Sequence, residues 1–383
     1  MPIVTPRLPL RNVPLLDLAV ENEAVAEDIF AALQEVARSQ RFILGEVNTL
    51  FEREIAAYLD VPFALGCANG SDAIVLALLA CGVGPGDKVI VPAFTFFATA
   101  SAVSRVGAVP VFADVDGLSF QMDAAAVERA AQGHAGIKAV IPVHLFGGSA
   151  DLDPVLALAR SHGWHVIEDG AQSIGARYKD RSCLSIGHIG TLSFFPTKNL
   201  GAWGDAGMVV TSDEDLARRL AALRVHGSTQ RYRHDWIGMN SRLDSLQAAV
   251  LRAKLPRLDG WTRQRQANAA RFEDLLGGKD LPLQLPRPFP WQTRHVWNQY
   301  VIRPERRDEV RAALAAAGVG TEIYYPIPLH LQPCYEFLGY RAGDLPVSER
   351  LCGQVLALPI HFSIGEADIE YICERLIGIL QGF

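Results

Sequence analysis

The chain lacks the patterns that mark metal, disulfide, nucleic-acid and membrane proteins. Its six cysteines are widely spaced without a CxxC pair, which argues against a zinc site or a disulfide framework and is typical of a reducing compartment. The formal net charge of -6 comes without a basic stripe, so an extended nucleic-acid surface is not expected. The longest apolar stretch, residues 89–103, contains Pro92 and falls short of the roughly 20 residues of a membrane span.

Two further absences concern targeting and metals. The N-terminal residues 1–11 are rich in proline and lack the apolar region of a signal peptide, so we predict a cytoplasmic protein. His144, His162 and His165 lie in different predicted elements without the paired spacing of a metal site, so no metal is expected. What remains is a globular composition: 383 residues, 49% of them hydrophobic and 20% charged, enough for two or three packed units.

Apolar spacing along the chain alternates between strand and helix patterns. Two amphipathic helices are predicted first, at residues 25–36 and 47–58. Five short apolar runs then predict strands at residues 88–92, 109–113, 139–143, 164–168 and 190–195. Helical segments such as residues 150–162 separate these runs. This alternation predicts an α/β fold with a mainly parallel sheet and helices on both faces.

The second half of the chain predicts a domain boundary. A strand at residues 208–211 and a helix at 213–224, begun by Ser212, close the first series. We therefore predict a large domain over residues 1–258 and a smaller α/β domain over residues 259–383. The elements predicted after the first series are helices at 241–255, 262–276, 307–317, 347–356 and 366–380 and a strand at 296–302. A Gly/Pro-rich stretch at 277–290 has the composition of a connection.

A small turn at residues 66–73 precedes a strongly apolar helix. Gly70 and Ser71 lie where the first amides of that helix are free to bind an anion such as phosphate. The alternative is a plain helix cap made by Ser71 or Asp72. The turn alone does not decide between the two.

Lys198 is the most informative residue, because hydroxyls, aromatics, Pro196 and glycines surround it in sequence. A surface lysine in a loop is the ordinary alternative. Asp169 ends a short apolar strand at the rim of the predicted sheet, where ligands usually bind; alternatively it caps the next turn. A lysine that forms a Schiff base, an acid that pairs with a pyridine nitrogen and a phosphate cradle together indicate pyridoxal phosphate.

Other residues fit the same ligand. Gln172 lies one turn after Asp169 and can contact the oxygen on the cofactor ring, Ser193 can reach the phosphate, and Phe96 can stack on a flat ring. For Phe96 and Ser193 the alternatives are a core aromatic and a satisfied hydroxyl. The polar tract 226–235 is either a solvated loop or one that a substrate pyrophosphate orders.

Five ordered motifs resemble the DegT/DnrJ/EryC1/StrS family of pyridoxal-phosphate aminotransferases, which act on nucleotide-linked keto-sugars. The resemblance covers nearly the whole chain, with its most specific stretches at residues 69–73, 166–172, 193–201, 240–249 and 325–333. It implies the fold type I of such enzymes, with a mainly parallel seven-stranded sheet in the large domain and a smaller C-terminal α/β domain.

Residue roles follow from this resemblance. It implies that Lys198 is the catalytic Schiff-base lysine, that Asp169 pairs with the ring nitrogen and that Gln172 contacts the ring hydroxyl. The other cofactor-binding residues that it implies are Gly70, Ser71, Phe96, Ser193 and Asn240. Asn240 would reach the phosphate in a neighbouring subunit, which implies a homodimer with shared active sites. The sugar nucleotide would meet Arg231, Tyr324, Tyr325 and His330.

Three positions depart from the family pattern. Tyr324 stands where members often have histidine, which bears on sugar contacts. Ala206 replaces a common glycine, a mild change if residue 206 avoids positive φ. Gly170 stands where alanine or cysteine is usual, from which we expect only looser packing. Residues 13–18 and 42–45 favour amination at C3 of the sugar rather than C4, and the family implies glutamate as amino donor.

Competing interpretations keep or change the cofactor chemistry. A sugar dehydratase of the same fold would carry histidine in place of Lys198. A regulator or sensor that keeps the fold without turnover is a second alternative. A nicotinamide-dependent Rossmann enzyme would need a GxGxxG turn after an early strand and an acid further on, and the sequence has no such pattern.

Overall fold

The computed structural model describes residues 11–382. The segment that the signal-peptide prediction concerned lies outside the described residues except for Arg11. The strands are β1 (Phe63–Cys67), β2 (Lys88–Pro92), β3 (Val109–Ala113), β4 (Ile137–Val140), β5 (His165–Asp169), β6 (Arg177–Tyr178), β7 (Arg181–Ser182), β8 (Ile189–Ser193), β9 (Gly207–Thr211), β10 (Ser228–Gln230), β11 (Arg233–His234), β12 (Leu283–Gln284), β13 (Tyr300–Pro304) and β14 (Leu356–Leu358).

Helices connect most of these strands. They are α1 (Leu18–Glu23), α2 (Ala26–Ser39), α3 (Glu46–Leu59), α4 (Gly70–Ala80), α5 (Ala98–Arg105), α6 (Ala124–Ala131), α7 (Leu152–His162), α8 (Glu214–Leu223), α9 (Ser245–Lys254), α10 (Leu258–Leu276), α11 (Arg307–Ala316), α12 (Pro346–Gln354) and α13 (Glu366–Gln381). Short 3-10 turns lie at 145–147, 255–257, 329–331 and 333–338. Between residues 11 and 382, no helix combines the length and the hydrophobicity that a membrane crossing needs.

The main sheet has seven strands in the order β1-β9-β8-β5-β4-β2-β3. The pairs from β8 to β3 are parallel, and β9 runs antiparallel to both of its neighbours. Strands β2, β3 and β5 are each buried at four of their five positions, as strands covered by helices on both faces must be. The predicted fold class is confirmed.

Helix α4 follows β1 and is buried on nearly every side. Its residues 72–78 are all buried, because the helix packs against β8 and β9 and is itself covered by α5 and α8. This position explains why its sequence is apolar all round rather than amphipathic. Its N-terminus opens at the carboxyl edge of the sheet, where ligands bind in such folds.

Several element boundaries differ from the sequence predictions. Strand β1 was not predicted, since its five residues are interrupted by Gly66 and carry no turn signal. The helix predicted from residue 241 begins at Ser245. Helix α8 is capped by Asp213 rather than Ser212, because the Asp213 carboxylate accepts the amides of residues 215 and 216. The strand predicted at 296–302 lies at β13, a few residues later.

The C-terminal part builds a second core. Strands β12, β13 and β14 form an antiparallel sheet, and α10, α11 and α13 pack together beside it. Val13 belongs to this core and pairs with Val319, so the start of the described chain lies against the smaller lobe. The division into a large domain (residues 1–258) and a smaller domain (residues 259–383) stays a proposal. The segment around Val13 is an exception to it, because this segment packs with residues of the smaller domain.

Candidate active site

A cavity of about 510 Å³ opens at the carboxyl edge of the main sheet. It collects residues that follow β1, β2, β5 and β8, because the carboxyl ends of parallel strands meet at one edge. Two tyrosines and a glutamine from the C-terminal part complete the wall. The lining residues are Asn69, Gly70, Ser71, Ile74, Thr95, Phe96, Ala98, Val143, Leu145, Asp169, Ala171, Gln172, Ser193, Phe195, Thr197, Lys198, Asp205, Gln299, Tyr324 and Tyr325.

Asp169, the last residue of β5, is a buried carboxylate held from two sides. Thr99 Oγ1 donates to its Oδ2 at 2.8 Å, and the amide of Ala171 donates to its Oδ1 at 3.1 Å. Its backbone is anchored as well, by the carbonyl of Pro142 and the amide of His144. The carboxylate therefore has a fixed position and a fixed direction within the cavity wall.

Lys198 lies in the turn between β8 and β9, with its side chain in the same cavity. Desolvation lowers its pKa from 10.5 to about 8, although the nearby Asp169 charge acts in the opposite direction. The next residue, Asn199, is buried and donates to the carbonyl of Val296, while Asn298 donates to its side-chain oxygen at 2.9 Å. The Lys198 amine is thus partly neutral. Its turn is held by the hydrogen bonds of Asn199 to the segment that precedes β13.

The N-terminus of α4 forms another part of the cavity wall. Asn69 caps the helix by accepting the amide of Asp72 at 2.8 Å, so the predicted alternative of a cap by Ser71 or Asp72 was wrong. A Cβ on Gly70 would come within 2.6 Å of the Ser193 Cβ, so only glycine lets the two segments approach this closely. We call the start of the helix and the Ser193 hydroxyl the anion cradle, because free helix amides beside a hydroxyl suit a bound anion.

Gln172 and two aromatic rings lie beside Asp169. The amide of Phe146 donates to Gln172 Oε1 at 2.7 Å, and Gln172 Nε2 donates to Tyr325 Oη at 3.2 Å. Burial raises the pKa of Tyr325. The ring of Phe96 is half exposed in this chain and lies 5.9 Å from the Tyr325 ring, centroid to centroid.

The residue before Asp169 is a second buried carboxylate, facing the other side of the strand. Glu168 is fully buried and accepts from His144 Nε2 at 2.8 Å and from the amides of residues 184, 186 and 187. Burial would raise the pKa of Glu168, but these hydrogen bonds outweigh it and lower the pKa. Because His144 Nδ1 accepts the amide of Ala150, the hydrogen that the ring donates to Glu168 lies on Nε2. Glu168 is an anchor for its loop rather than a cavity residue.

Nine of the twelve predicted site residues line the cavity: Gly70, Ser71, Phe96, Asp169, Gln172, Ser193, Lys198, Tyr324 and Tyr325. Three do not. His330 is buried against Phe112 and Tyr340 and bonds to Glu349 at 3.1 Å, so this chain does not bring it to the cavity and we withdraw it from the substrate contacts.

Arg231 and Asn240 are exposed and lie away from the cavity of their own chain. Arg231 lies in the exposed turn of the β10–β11 hairpin, and Asn240 pairs with Val225 at the base of this loop. A role of these residues in a neighbouring subunit remains a prediction.

The structure tests what we expected at two positions that depart from the family pattern, Gly170 and Ala206. A Cβ on Gly170 would lie 2.2 Å from Leu184 Cδ2, so the expectation of looser packing was wrong: the space of that Cβ is filled by Leu184. Ala206 is buried and does not have a positive φ, so alanine is accommodated without strain. Within residues 11–382, no cluster of three or more His, Cys, Asp or Glu side chains is arranged to hold a metal ion.

Sequence reasoning missed other cavity residues. Asn69 was detectable, since an asparagine before a glycine and an apolar helix is a typical cap. Thr95 and Thr197 each adjoin a predicted site residue and were detectable by proximity. Gln299 directly precedes β13, and nothing in its local sequence indicates that this segment reaches the cavity.

The residues present fit pyridoxal phosphate. An amine with a lowered pKa, a buried carboxylate beside it, and a helix N-terminus with a serine hydroxyl meet in one cavity. These groups match the aldehyde, the ring nitrogen and the phosphate of that cofactor.

Comparison with known proteins decides the family. A family model described as the DegT/DnrJ/EryC1/StrS aminotransferase family matches residues 23–377. The chain belongs to this family. DegT/DnrJ/EryC1/StrS proteins and the solved structures similar to this chain are pyridoxal-phosphate-dependent aminotransferases, some of them with pyridoxamine phosphate bound. The chain is therefore a pyridoxal-phosphate enzyme of the sugar aminotransferase type.

Individual DegT/DnrJ/EryC1/StrS relatives carry different names. A pleiotropic regulatory protein of Geobacillus stearothermophilus is 47% identical, with 97% of this chain and 100% of the relative covered. A UDP-N-acetyl-3-dehydro-alpha-D-glucosamine 3-aminotransferase of Acidithiobacillus ferrooxidans is 44% identical, with 97% and 98% covered. The crystal structure of S. venezuelae DesV in complex with a ketimine intermediate has a TM-score of 0.92 and 42% identity, and 95% of this chain and 97% of that chain are covered.

Proposed function

We propose that this enzyme transfers an amino group from glutamate to a nucleotide-linked sugar with a ketone at C3, giving an amino sugar for glycan or natural-product biosynthesis. The observation that carries the proposal is Lys198, an amine with a pKa of about 8, which shares one cavity with Asp169 and the anion cradle. The name of the Acidithiobacillus relative supports a 3-keto substrate, and so do residues 13–18 and 42–45.

Each group of the cavity has one task in this mechanism. Pyridoxal phosphate, when bound, supplies a ring that accepts electrons as a proton leaves the neighbouring carbon. Asp169 holds a proton on the ring nitrogen, and Gly70, Ser71 and Ser193 hold the phosphate. Phe96 covers the ring face. Lys198 Nζ would anchor the cofactor and, as the free amine, would move the proton between the α-carbon of the donor and the cofactor.

The pKa of Lys198 suits this task. A general base is most effective when its pKa lies near the working pH, and an ordinary lysine at 10.5 would be almost wholly protonated there. Burial lowers the pKa to about 8 without a neighbouring cation, and Asp169 limits the decrease. The same cavity that binds the cofactor thus also prepares the base.

We also propose a homodimer with shared active sites. Arg231 and Asn240 stand outside the cavity of their own chain, on an exposed hairpin whose Tyr232 is 84% exposed. Phe30, Trp203 and other apolar side chains near α2 and α9 are exposed as well, as an interface surface would be in a single chain. In this arrangement Asn240 reaches the phosphate, and Arg231 the sugar nucleotide, of the partner's site.

A subunit-mixing experiment tests the shared site. A Lys198→Ala protein, expected to be inactive alone, and an Asn240→Ala protein, expected to be weakly active alone, are unfolded, mixed and refolded together. Shared sites predict recovered activity, because a mixed dimer has one site with both native residues. No recovery, although mass spectrometry shows mixed dimers, would contradict the proposal. Two Lys198→Ala preparations mixed in the same way are the control.

A sugar panel tests the substrate. Purified enzyme with glutamate is offered 3-keto and 4-keto nucleotide sugars with uridine, thymidine and guanosine diphosphates, and amino-sugar products are measured by mass spectrometry. We expect turnover of 3-keto sugars and none with Lys198→Ala. Turnover of 4-keto sugars alone would refute the C3 assignment. Tyr324→His, which restores the residue that members often have, tests whether this position sets the preferred sugar.

A regulatory role is the second candidate, favoured by the name of the Geobacillus relative. It predicts ligand binding without turnover, so a panel that yields binding and no product would favour it. A sugar dehydratase is disfavoured, because Lys198 occupies the position where such proteins carry histidine. We further propose a cytoplasmic location, which the six free thiols support and cell fractionation tests.

A further inference from the structure

Thr99, the second residue of α5, is a buried side chain that is hydrogen-bonded to Asp169. Its hydroxyl donates to Asp169 Oδ2 at 2.8 Å, and only 1% of Thr99 is exposed. Thr99 is not among the residues that line the cavity, so it does not contact a ligand there. Within residues 11–382, Asp169 is the one hydrogen-bond partner of this hydroxyl. An effect of Thr99 on a bound cofactor must therefore act through Asp169.

The contact differs from the usual bond of a helical threonine. A threonine hydroxyl in a helix ordinarily donates to a backbone carbonyl three or four residues earlier in its own helix. Thr99 instead bonds to the end of β5, 70 residues further along the chain. Its backbone N–H donates to the carbonyl of Phe96, the proposed stacking residue, at 3.3 Å. Thr99 thus connects the turn that carries the stacking ring to the proposed partner of the ring nitrogen.

The two oxygens of the Asp169 carboxylate have one donor each. The amide of Ala171 donates to Oδ1 at 3.1 Å, and Thr99 donates to Oδ2. A donor on each oxygen keeps the carboxylate from rotating, and hydrogen bonds to a carboxylate stabilise its negative charge. The amide of Ala171 belongs to the backbone, so Thr99 is the one side chain within residues 11–382 that donates to this carboxylate.

We propose that Thr99 is a positioning residue for the amino transfer: it holds Asp169 so that the proton between the carboxylate and the ring nitrogen of the cofactor stays on the nitrogen. Without the Thr99 donor, the charge of the carboxylate is less stabilised, and the carboxylate draws the shared proton towards itself. A ring nitrogen that keeps its proton accepts electrons more readily. The inference rests on the proposed function, in which Asp169 pairs with the ring nitrogen, and adds a residue that does not touch the cofactor.

Nuclear magnetic resonance of the bound cofactor tests this role. The protein is loaded with pyridoxal phosphate that is isotope-labelled at its ring nitrogen, and the chemical shift of that nitrogen is measured at neutral pH. In the wild type, the nitrogen should give the signal of a protonated ring. In Thr99→Val, which keeps the shape of the side chain and removes the hydroxyl, the signal should move towards that of an unprotonated ring. An unmoved signal in Thr99→Val would overturn the proposal.

Three further variants separate the hydroxyl from the packing of the side chain. Thr99→Ser keeps the donor and should give the wild-type signal, whereas Thr99→Cys, a weak donor, should give an intermediate one. If Thr99→Val binds no cofactor, the comparison of Thr99→Ser with Thr99→Cys decides, and equal signals in those two overturn the proposal. Thr95→Val is the matched control, because Thr95 is buried, lines the cavity and does not donate to Asp169. A shift in Thr95→Val as large as that in Thr99→Val would also overturn it.

A kinetic measurement distinguishes this role from a general loss of structure. The rate at which glutamate removes the visible cofactor band is followed at increasing glutamate concentration. The proton on the ring nitrogen matters when the donor loses its α-proton, so Thr99→Val should slow the maximal rate about tenfold and leave the half-saturating concentration unchanged. A change in that concentration alone would contradict the role. A wild-type protein that binds no cofactor would overturn the proposed function and this inference together, whereas wild-type turnover with an unmoved signal in Thr99→Val would overturn this inference alone.

Discussion

The pKa of Lys198 gives a quantitative prediction for the protein freed of cofactor. Desolvation in the cavity lowers this pKa from 10.5 to about 8. At pH 7.5, about one quarter of such amines are neutral, against about one in a thousand at the ordinary value, a gain of roughly 200-fold in the reactive form. Lys198 should therefore react with small aldehydes far faster than an exposed lysine does.

Reductive methylation with formaldehyde measures this difference. The rate at each lysine is followed by peptide mass spectrometry as pH is raised. The rate at Lys198 should rise with a midpoint near 8, whereas Lys179, whose pKa is raised by its hydrogen bond to Asp153, should react only at much higher pH.

The Asp169→Asn variant tests the direction in which the Asp169 charge shifts the pKa of Lys198. The Asp169 charge favours the ammonium form, so its removal should lower the midpoint further. A wild-type midpoint near 10.5, or an increase in Asp169→Asn, would refute the reasoning.

Three other predictions concern residues around the cavity. Gly170→Ala should destabilise the protein by about 1–2 kcal/mol in chemical unfolding because its Cβ meets Leu184, and Leu184→Ala in the same chain should not add to that loss; simple additivity would contradict this. Glu168→Gln should cost about 3 kcal/mol at neutral pH, because a buried carboxylate with four donors is lost. Because the pKa of Glu168 is lowered in the folded protein, the stability that Glu168 contributes is present above pH 4.5 and is lost as pH falls below that value. The free energy of unfolding of Glu168→Gln should therefore depend less on pH in the acid range than that of the wild type. The same pH dependence in both proteins would contradict an ionised Glu168 in the folded state. Ser193→Ala should weaken pyridoxal phosphate binding about tenfold in a cofactor titration, as one charge-assisted hydrogen bond is removed, and equal affinity would exclude Ser193 from the cradle.

The fold was predictable where the sequence is periodic. Strands β2, β3 and β5 are short apolar runs between helical segments, and their positions were close to those observed. Strand β1 was missed, because its place in the sheet comes from pairing with β9, far along the chain. The start of α9 at Ser245 depends on tertiary contacts too, since Ser245 Oγ donates to the buried Asn48.

The site was predictable where strand ends carry chemistry. Asp169 and Ser193 end parallel strands and Lys198 follows one, and the carboxyl ends of such strands meet at one edge. The fit of Leu184 behind Gly170 was not predictable, because it joins residues from separate segments in the interior. The burial of His330 and the hydrogen bond between Gln172 and Tyr325 likewise follow from packing that no local pattern records.

Amino transfer through Lys198 is tested most directly by adding glutamate to the purified, cofactor-loaded protein while the visible absorbance and 2-oxoglutarate are measured. We expect the cofactor band to fade as one equivalent of 2-oxoglutarate appears per site, and neither change to occur in Lys198→Ala. A band that no amino donor moves, or a Lys198→Ala protein that forms 2-oxoglutarate at the wild-type rate, would contradict it.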